Sequence, residues 1–509
     1  MLRRIRIVFA AVCFLLLTAL FLDFTGTLHP YVGWLAKLQF WPAVLALNVG
    51  VVILLVLMTL LLGRVYCSVI CPLGVFQDVV SWLSSRRKKK KYRFCYSPAK
   101  RWLRYVVLLL FVVSALAGLG AVVALISPYS AYGRMAQNLL APLYGWGNNL
   151  LAGWAEQNGS YAFYRHEVWL RSVPTLIVAV VTFLVLVVLA WRSGRTYCNT
   201  ICPVGTLLGF FSNYSLFRPM IDVKKCNSCS LCSRQCKASC INPAQHTIDY
   251  SRCVACMDCI GACKHGAISY RLRNRKGTPQ GTGCPSGDSP VSGGAGGPKG
   301  AEGRRLFLTG AGLLMGSAAL QARRKKVDGG LAVILDKQKP ERRTSIVPPG
   351  AEGLRHFYQH CTACQLCVAV CPNQVLRPST SLSRVMQPES SYEKGYCRPE
   401  CTKCSEVCPT GAIQLVSLAE KSSIQIGHAV WVEKNCLPAV DGTACGNCAR
   451  HCPVGAITMV PKDPADDSSA RIPVVNDERC IGCGACENLC PARPFSAIYV
   501  EGHEQHKFI

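Results

Sequence analysis

The chain has 509 residues, half of them hydrophobic, and its mean hydropathy is positive at +0.24. This composition excludes a single soluble core and favours apolar membrane segments joined to soluble modules. The formal net charge is +28, but the densest basic run (residues 86–93) follows an apolar stretch, which is typical of a loop on anionic lipid, so nucleic acid is not expected as a partner.

Four apolar stretches near the N-terminus are each long enough to cross a bilayer: residues 7–24, 42–62, 103–126 and 173–191. The basic run lies between the second and third stretches, whereas the loops after the first and third hold few lysines or arginines. The positive-inside rule therefore predicts an α-helical membrane domain of four helices over residues 1–212, with both ends in the cytoplasm. The protein is expected to be a multi-pass protein of the inner (cytoplasmic) membrane.

The second and fourth stretches end in the same pattern, which indicates an internally duplicated domain. Residues 63–74 read GRVYCSVICPLG and residues 194–205 read GRTYCNTICPVG, so each copy is G-R-x-Y-C-x3-C-P-x-G. Cysteines at i and i+4 of a helix share one face, and two such pairs are predicted to converge across a pseudo-two-fold axis. They could hold an additional iron–sulfur cluster or a copper ion, or act as a redox-active dithiol, and plain packing is the alternative. This predicted site consists of Cys67, Cys71, Cys198 and Cys202.

Residues 213–272 carry two cysteine quartets with the C-x2-C-x2-C-x3-C spacing of a [4Fe-4S] ligand run. Zinc knuckles and disulfides lack the third close cysteine and the trailing x3-Cys. Because the fourth cysteine usually serves the neighbouring cluster, each run is predicted to borrow its fourth ligand from the other. Cys240 is a spare thiol that could replace Cys236. The predicted ligands of this dicluster domain are Cys226, Cys229, Cys232, Cys236, Cys253, Cys256, Cys259 and Cys263.

Lysines rather than prolines follow the last cysteine of both runs, at Lys237 and Lys264. A nearby ammonium favours the reduced, more negative cluster. These two sites are therefore predicted to have raised reduction potentials, with an ordinary surface charge as the alternative for each lysine.

Two connecting segments follow. Residues 273–303 are rich in glycine, proline and serine and are predicted to form a flexible linker. Residues 304–322 begin with Arg-Arg-Leu-Phe-Leu and continue as a modest apolar stretch, which is typical of a twin-arginine export signal. A short amphipathic helix or a fifth span with chance arginines is the alternative.

Residues 345–509 contain sixteen cysteines in four quartets, each closed by Cys-Pro. Two quartets have the regular spacing, and two are looser versions of it. Four such half-units make two packed α+β ferredoxin-like folds, but the sequence leaves open whether the first quartet pairs with the second or with the fourth. The predicted ligands are Cys361, Cys364, Cys367, Cys371, Cys397, Cys401, Cys404, Cys408, Cys436, Cys445, Cys448, Cys452, Cys480, Cys483, Cys486 and Cys490.

These motifs together resemble a known family. The helices, the two C-x3-C-P motifs and the dicluster domain resemble the membrane ferredoxin-type NapH proteins, and MauN, the C-terminal region of NosR and the CcoG group share this plan. Residues from Arg304 onward resemble NapG, a twin-arginine-exported partner with four clusters. The resemblance rests also on Pro-Pro-Gly-Ala at 348–351 and Gly-Tyr-Cys at 395–397. It implies a NapH–NapG fusion with quinol dehydrogenase activity, which oxidises quinol and delivers the electrons to a periplasmic reductase.

The sequence therefore predicts a membrane-bound electron-transfer protein that links the quinone pool to a redox partner, a reductase or small electron carrier, through six [4Fe-4S] clusters. The first ferredoxin domain is expected in the cytoplasm and the C-terminal domain in the periplasm, with a fully cytoplasmic protein as the alternative. The rival function is that of a maturation, assembly or regulatory factor of the CcoG or NosR type, which handles metal or the redox activation of a respiratory enzyme.

Overall fold

The computed structural model describes residues 2–86, 94–165, 167–273, 335–381, 384–466 and 469–509. The twin-arginine-like segment 304–322 and all but the first residue of the predicted linker lie outside the described residues, as do residues 87–93 of the basic run. Three parts can be described: a helical domain (residues 2–212), an N-terminal ferredoxin module (213–272) and a C-terminal ferredoxin module (345–509).

The helical domain is built from helices of very different lengths. Proline occupies the first position of several of them, for example Pro72, Pro128 and Pro203, where its missing N–H costs nothing. A π-helical turn, Ala136–Leu140, interrupts the sequence of α-helices once in the described part of the domain. The α-helices are α1 (Leu2–Leu22), α2 (His29–Val32), α3 (Trp34–Lys37), α4 (Phe40–Leu45), α5 (Val49–Leu62), α6 (Val65–Val69), α7 (Pro72–Ser85), α8 (Arg101–Leu116), α9 (Gly120–Ile126), α10 (Pro128–Met135), α11 (Ala141–Gln157), α12 (Val173–Ser193), α13 (Thr196–Thr200) and α14 (Pro203–Ser212).

Two of the four predicted spans are single long helices. Helices α1 and α12 each have 21 residues, with mean hydropathies of 2.6 and 2.9 over their most apolar windows. Among the described residues, these two helices are long and apolar enough to cross a membrane.

Each of the other two predicted spans is divided between two helices. The stretch 42–62 breaks at Leu47, whose φ is +51°, and α5 restarts behind Asn48, which accepts a hydrogen bond from the Val51 N–H at 3.3 Å. The stretch 103–126 breaks at Gly118, whose φ is +72°. A single residue in the left-handed conformation ends a helix. The apolar composition of a stretch does not reveal where such a residue will occur. With 14 residues, α5 is about 21 Å long.

The N-terminal ferredoxin module contains two small antiparallel sheets and two one-turn helices. Strand β1 pairs with β4, with Ile221 opposite Ile268, and β2 pairs with β3 in a hairpin. The elements are β1 (Phe217–Ile221), α15 (Leu231–Gln235), β2 (Ile241–Asn242), β3 (Thr247–Ile248), α16 (Asp258–Ala262) and β4 (Ile268–Leu272).

The C-terminal ferredoxin module repeats this pattern with more elements. Its sheets are again two-stranded and antiparallel, and the longest ribbon joins β7 to β10, with Ile498 opposite Trp431. The elements are α17 (Leu354–His360), α18 (Leu366–Val370), β5 (Leu376–Pro378), β6 (Pro388–Ser390), α19 (Lys403–Val407), α20 (Leu418–Ser423), β7 (Ile424–Trp431), α21 (Leu437–Asp441), α22 (Asn447–Arg450), β8 (Ile457–Pro461), β9 (Arg471–Val475), α23 (Ala485–Leu489) and β10 (Ile498–Phe508).

The N-terminal ferredoxin module contacts the helical domain where α1 begins and where α5 and α12 end. Arg3, at the start of α1, forms an ion pair with Asp258 at 2.8 Å. The Tyr270 hydroxyl donates to the Leu62 carbonyl at the end of α5, also at 2.8 Å. The N–H of Arg195, just beyond α12, donates to a carbonyl of the module at 2.9 Å.

The C-terminal ferredoxin module contacts the opposite ends of the same helices. The Lys403 ammonium donates to the Thr25 carbonyl, just beyond the end of α1, at 2.7 Å. Arg171, just before α12, donates to the Val368 carbonyl at 2.8 Å. The two modules therefore lie at opposite ends of the helical domain, because α1 and α12 are each contacted by a different module at either end.

The interior between the two ends is filled by α10, all eight residues of which are buried. Tyr129 of this helix packs against Phe21 of α1, with ring centroids 5.6 Å apart. The same apolar cluster continues into Phe357 and Leu366 of the C-terminal ferredoxin module. Burial of each large apolar side chain contributes about 1.5–3 kcal/mol, so this module is attached through a continuous core.

Candidate metal centres

All six cysteine quartets fold alike around their third cysteine. A helix of four or five residues begins one residue before that cysteine, and in five of the six quartets it ends at the residue before the fourth. One helical turn thus places the third cysteine beside the first two and carries the fourth away from them. These helices begin at Leu231, Asp258, Leu366, Lys403, Asn447 and Ala485.

The four regular quartets also share a backbone conformation. In each, the residue before the second cysteine and the residue after it are left-handed, with φ between 50° and 78°. This conformation costs a non-glycine residue about 1–2 kcal/mol, and successive N–H groups in such turns form the concavities that bind anions and iron–sulfur clusters. The backbone is therefore shaped for an anionic group between the cysteines. The left-handed residues are Ser228, Ser230, Ala255, Met257, Ala363, Gln365, Gly482 and Gly484.

In the N-terminal ferredoxin module, the structure brings together the sets that cross-ligation predicts. Cys226, Cys229 and Cys232 line one cavity with Cys263 of the other run. The Cys263 sulfur accepts the Ala267 N–H at 3.2 Å, and such hydrogen bonds to ligand sulfurs tune cluster potentials.

The second site of this module contains a fifth thiol. Cys253, Cys256 and Cys259 lie with Cys236, and the Cys240 sulfur is 3.5 Å from that of Cys236. The Cys240 hydrogen bond lowers the pKa of Cys236 to about 7. Cys240 therefore lies beside Cys236 in the same site, where either thiol could serve as the fourth ligand.

In the C-terminal ferredoxin module, each quartet pairs with its neighbour in sequence, which is the first-with-second arrangement. Cys371 lines a cavity with the first three cysteines of the second quartet, and Cys408 lies beside the first three of the first. Cys490 and Cys452 are exchanged in the same way between the third and fourth quartets. In three of these four exchanges a downstream backbone N–H donates to the exchanged sulfur at 3.2–3.4 Å.

The structure also brings together the four cysteines of the two C-x3-C-P motifs, here called the four-thiol site. Each is at most 5% exposed, and all four belong to one buried cluster. Burial and the neighbouring thiols raise the pKa of Cys71 and Cys202 above the usual range. Four thiolates in such a place need a cation among them, so metal binding here would release protons and depend on pH.

Two buried arginines cross between the motif copies. Arg64 donates to the Cys198 carbonyl at 3.3 Å, and Arg195 donates to the Cys67 carbonyl at 2.6 Å. Neither arginine is exposed to solvent at all. Each copy of the motif therefore fixes the first cysteine of the other, which gives the four-thiol site a pseudo-two-fold axis.

The final glycine of each motif lies against the same carbonyls. A Cβ atom at Gly74 would come within 3.0 Å of the Cys67 carbonyl oxygen, and one at Gly205 would meet the Cys198 carbonyl equally closely. Real Cβ atoms essentially never approach this near. Glycine is therefore required at this position in both copies.

An ion-pair network joins the four-thiol site to the N-terminal ferredoxin module. Asp78 of α7 pairs with Arg195 at 2.8 Å, with Arg6 at 3.1 Å and with Lys237 at 3.6 Å. Lys237 also pairs with Asp258 at 3.1 Å. Although burial opposes ionisation of Asp78, the surrounding cations hold its pKa below the usual range.

This network revises the expectation for Lys237. Burial disfavours its charge, but Asp78 and Asp258 raise the pKa of Lys237 above its ordinary value. The ammonium is thus charged, and it shares Asp78 with Arg195 and Arg6 and shares Asp258 with Arg3. These counter-ions weaken the field of Lys237 at the neighbouring cysteines, compared with a lysine that has no ion-pair partner.

The four-thiol site has cysteine sites on both sides. Cys256 of the N-terminal ferredoxin module packs against the same buried cluster. On the other side, fully buried Arg134 of α10 interacts electrostatically with Tyr197 of the second motif and with Cys364 of the C-terminal ferredoxin module. The arrangement is suited to passing single electrons between cysteine-bound centres.

Comparison with protein families agrees with this arrangement. A model described as a 4Fe-4S binding domain matches residues 44–91 and again residues 175–221. A 4Fe-4S dicluster domain model matches residues 360–412 and 443–493, and another 4Fe-4S binding domain model matches residues 246–269. The first two matches each contain one C-x3-C-P motif, which confirms the internal repeat. The dicluster matches confirm ferredoxin-like domains.

Individual relatives match parts of the chain. Ferredoxin-type protein NapG of Escherichia coli K12 is 33% identical over 176 residues, which is 32% of this chain and 75% of NapG. Methylamine utilization ferredoxin-type protein MauM of Methylophilus methylotrophus is 32% identical over 164 residues, 31% of this chain and 71% of MauM. Ferredoxin-type protein NapF of Escherichia coli K12 is 28% identical over 179 residues, 35% of this chain and 99% of NapF.

The cysteine sites and these matches define an iron–sulfur electron-transfer protein of the ferredoxin type. The chain belongs to the family of ferredoxin-type 4Fe-4S proteins that includes NapG and MauM.

Sequence reasoning missed the residues that build the four-thiol site around its cysteines. Arg64 and Arg195 occupy the same position in the two copies of the motif, and this repetition could have indicated that they contribute to the site. Asp78 has no counterpart in the second copy, where Gly209 holds the equivalent position, and no pattern marked it.

Proposed function

We propose that the protein is a membrane-bound electron relay that takes electrons from quinol and passes them, through six [4Fe-4S] clusters and the four-thiol site, to a redox partner. The chain would combine a NapH-like N-terminal half with a NapG-like C-terminal half. The observation that carries this proposal is the contact of two ferredoxin modules with opposite ends of one helical domain, with four buried thiols between them.

The clusters would supply the one-electron chemistry, and the chain's own residues would set ligation and surroundings. The 24 cysteines of the six quartets are the proposed ligands. The left-handed turns shape the backbone of the four regular quartets for an anionic group, and four of the six exchanged cysteines accept a backbone N–H. Arg64 and Arg195 offset the charge of the four-thiol site, whether it binds a cluster or copper or works as a dithiol.

The membrane location is supported by α1 and α12, the two helices of sufficient length and hydropathy. Their two ends contact different ferredoxin modules, which fits a cytoplasmic N-terminal module and a periplasmic C-terminal module in the inner membrane. Electrons could then cross by way of Cys256, the four-thiol site and Cys364, which all belong to the same buried core or pack against it.

The decisive experiment compares wild-type protein with Cys67→Ser/Cys198→Ser, purified anaerobically and reduced with a short-chain quinol. The six quartets of the wild type should hold about 24 iron and 24 sulfide per chain, four of each per cluster. The double variant should keep this content and the quinol-driven EPR signals of the C-terminal ferredoxin module, but lose quinol-driven reduction of the N-terminal one. Cys95→Ser, at an exposed thiol, is the control and should behave like wild type.

Equal reduction of both modules in the double variant would exclude the four-thiol site from the relay. The rival function, a maturation or regulatory factor, is favoured if the four thiols bind copper stoichiometrically and quinol reduces none of the clusters. The observation that supports this rival function is the burial of four thiols in a single cluster of residues.

A further inference from the structure

A buried carboxylate–imidazole pair lies in the loop between α1 and α2. Asp23 accepts hydrogen bonds from the backbone N–H groups of Thr25, Gly26 and Leu28 at 2.8–3.1 Å. The Thr25 hydroxyl also donates to Asp23 at 2.6 Å, and Nδ1 of His29 lies 3.3 Å from the same carboxylate. Asp23 is 7% and His29 8% exposed, so the pair is held inside the loop.

The second ring nitrogen of His29 has no partner. Nε2 is buried and makes no hydrogen bond to any residue that the structure describes. Because Asp23 accepts from Nδ1–H, the lone pair of the neutral ring is at Nε2. Burial lowers the pKa of His29 below its ordinary value, so the ring is neutral at pH 7 and able to accept a proton. The charged groups that face it are Asp23, Glu406 and Lys403.

The loop directly contacts a cysteine quartet. Lys403, which donates to the Thr25 carbonyl at 2.7 Å, lies in sequence between Cys401 and Cys404. The imidazole is therefore close to a cysteine site of the C-terminal ferredoxin module. A molecule bound at the imidazole could pass electrons to that site.

The surface around the loop is apolar. Leu28, Tyr31 and Trp34, on or beside the short helices α2 and α3, are 40%, 79% and 56% exposed. Helix α1, which precedes them in the chain and is long and apolar enough to cross a membrane, also exposes large apolar side chains such as Phe9 and Leu15. A ligand reaching His29 along this surface would come from the acyl-chain region of a bilayer.

We propose that the Asp23–His29 pair is the quinol-oxidising site, with His29 as the base and Asp23 as its positioning residue; this inference rests on the proposed function. Quinol loses two protons and two electrons to become quinone. One hydroxyl proton passes to Nε2 of His29, while Asp23 stabilises the imidazolium through Nδ1–H. The second proton follows once His29 has released the first to water. The two electrons would pass singly to two oxidised [4Fe-4S] clusters, which the cysteines of the C-terminal ferredoxin module would hold.

The test uses His29→Asn and His29→Gln in the full chain. Asparagine keeps a donor near the position of Nδ1 and glutamine places an amide near Nε2, but neither is a base. Quinol-dependent kcat should fall about 100-fold with little change in KM, the usual loss when a general base is removed. The wild-type rate should also fall as the pH drops through a value below 6.5, and this limb should vanish in both variants. His428→Gln is the matched control, since His428 also has an unpartnered ring nitrogen but lies on β7.

Two readouts are independent of turnover: dithionite should reduce all clusters in every variant, and a quinone analogue should still bind to His29→Gln in a fluorescence-quenching titration. Wild-type kcat and an unchanged pH profile in both His29 variants would overturn the site while leaving the proposed function intact. Failure of the wild type to oxidise any quinol would overturn the proposed function itself. Loss of clusters in both variants would assign the pair to folding and overturn its catalytic role.

Discussion

At the scale of single residues, the backbone is closely packed around the four-thiol site. Replacing Gly74 by alanine should lower the thermal stability of the helical domain, because a methyl group would strike the Cys67 carbonyl; overpacking of this kind costs about 1–3 kcal/mol. Gly205→Ala should act in the same way. Melting in detergent, with thiol labelling of the four cysteines, measures the effect.

Gly147→Ala supplies the control for this prediction. Gly147 lies in α11, and a Cβ atom there would meet nothing within 4 Å. Its replacement should stabilise the helix by up to about 1 kcal/mol. If Gly74→Ala had the same melting temperature as Gly147→Ala, the close contact at Gly74 would not limit the stability of the domain.

Between elements, the docking of the N-terminal ferredoxin module depends on α7. Asp78→Asn should leave Arg195 as a buried charge without its counter-ion, a change that typically costs about 3–5 kcal/mol, and should leave Lys237 with Asp258 alone. Limited proteolysis should then cut between α14 and β1 much faster than in wild type.

An exposed ion pair provides the comparison. Arg165 and Glu156 pair at 2.7 Å with side chains 66% and 37% exposed. Glu156→Gln should change stability by no more than about 1 kcal/mol, since water screens such pairs. Similar proteolysis of both variants would show that the buried network does not hold the module in place.

For the whole molecule, the arrangement of the modules predicts that they lie on opposite sides of the membrane. Protease added to intact spheroplasts should remove the C-terminal ferredoxin module and spare the N-terminal one, since the two modules contact opposite ends of α1 and α12. Antibodies against each end of the chain would follow the digestion. A C-terminus that stays protected until the membrane is broken would place both modules on one side and rule out transmembrane transfer.

The cysteine quartets could be predicted from sequence because the whole site is local: spacing alone determines which thiols one helical turn brings together. The convergence of Cys67 with Cys198 was also predictable, since a repeat implies an axis. The break at Leu47 and the pair formed by Asp23 and His29 could not be predicted. The break depends on the φ angle of Leu47 alone. The loop that holds Asp23 contacts, through Thr25, Lys403 of the C-terminal ferredoxin module, 378 positions later in the chain.

The crossed bonds of Arg64 and Arg195 have a consequence for how such a chain arose. A single copy of the motif hairpin could make neither of these carbonyl contacts and would need a second identical molecule, as in a two-fold homodimer. Such a dimer would offer two equal docking surfaces. In the present chain the two copies differ: Asp78 pairs with Lys237, whereas a Cβ atom at the equivalent Gly209 would meet Arg104 and the Ser251 carbonyl. Two unequal copies can hold one ferredoxin module in one orientation.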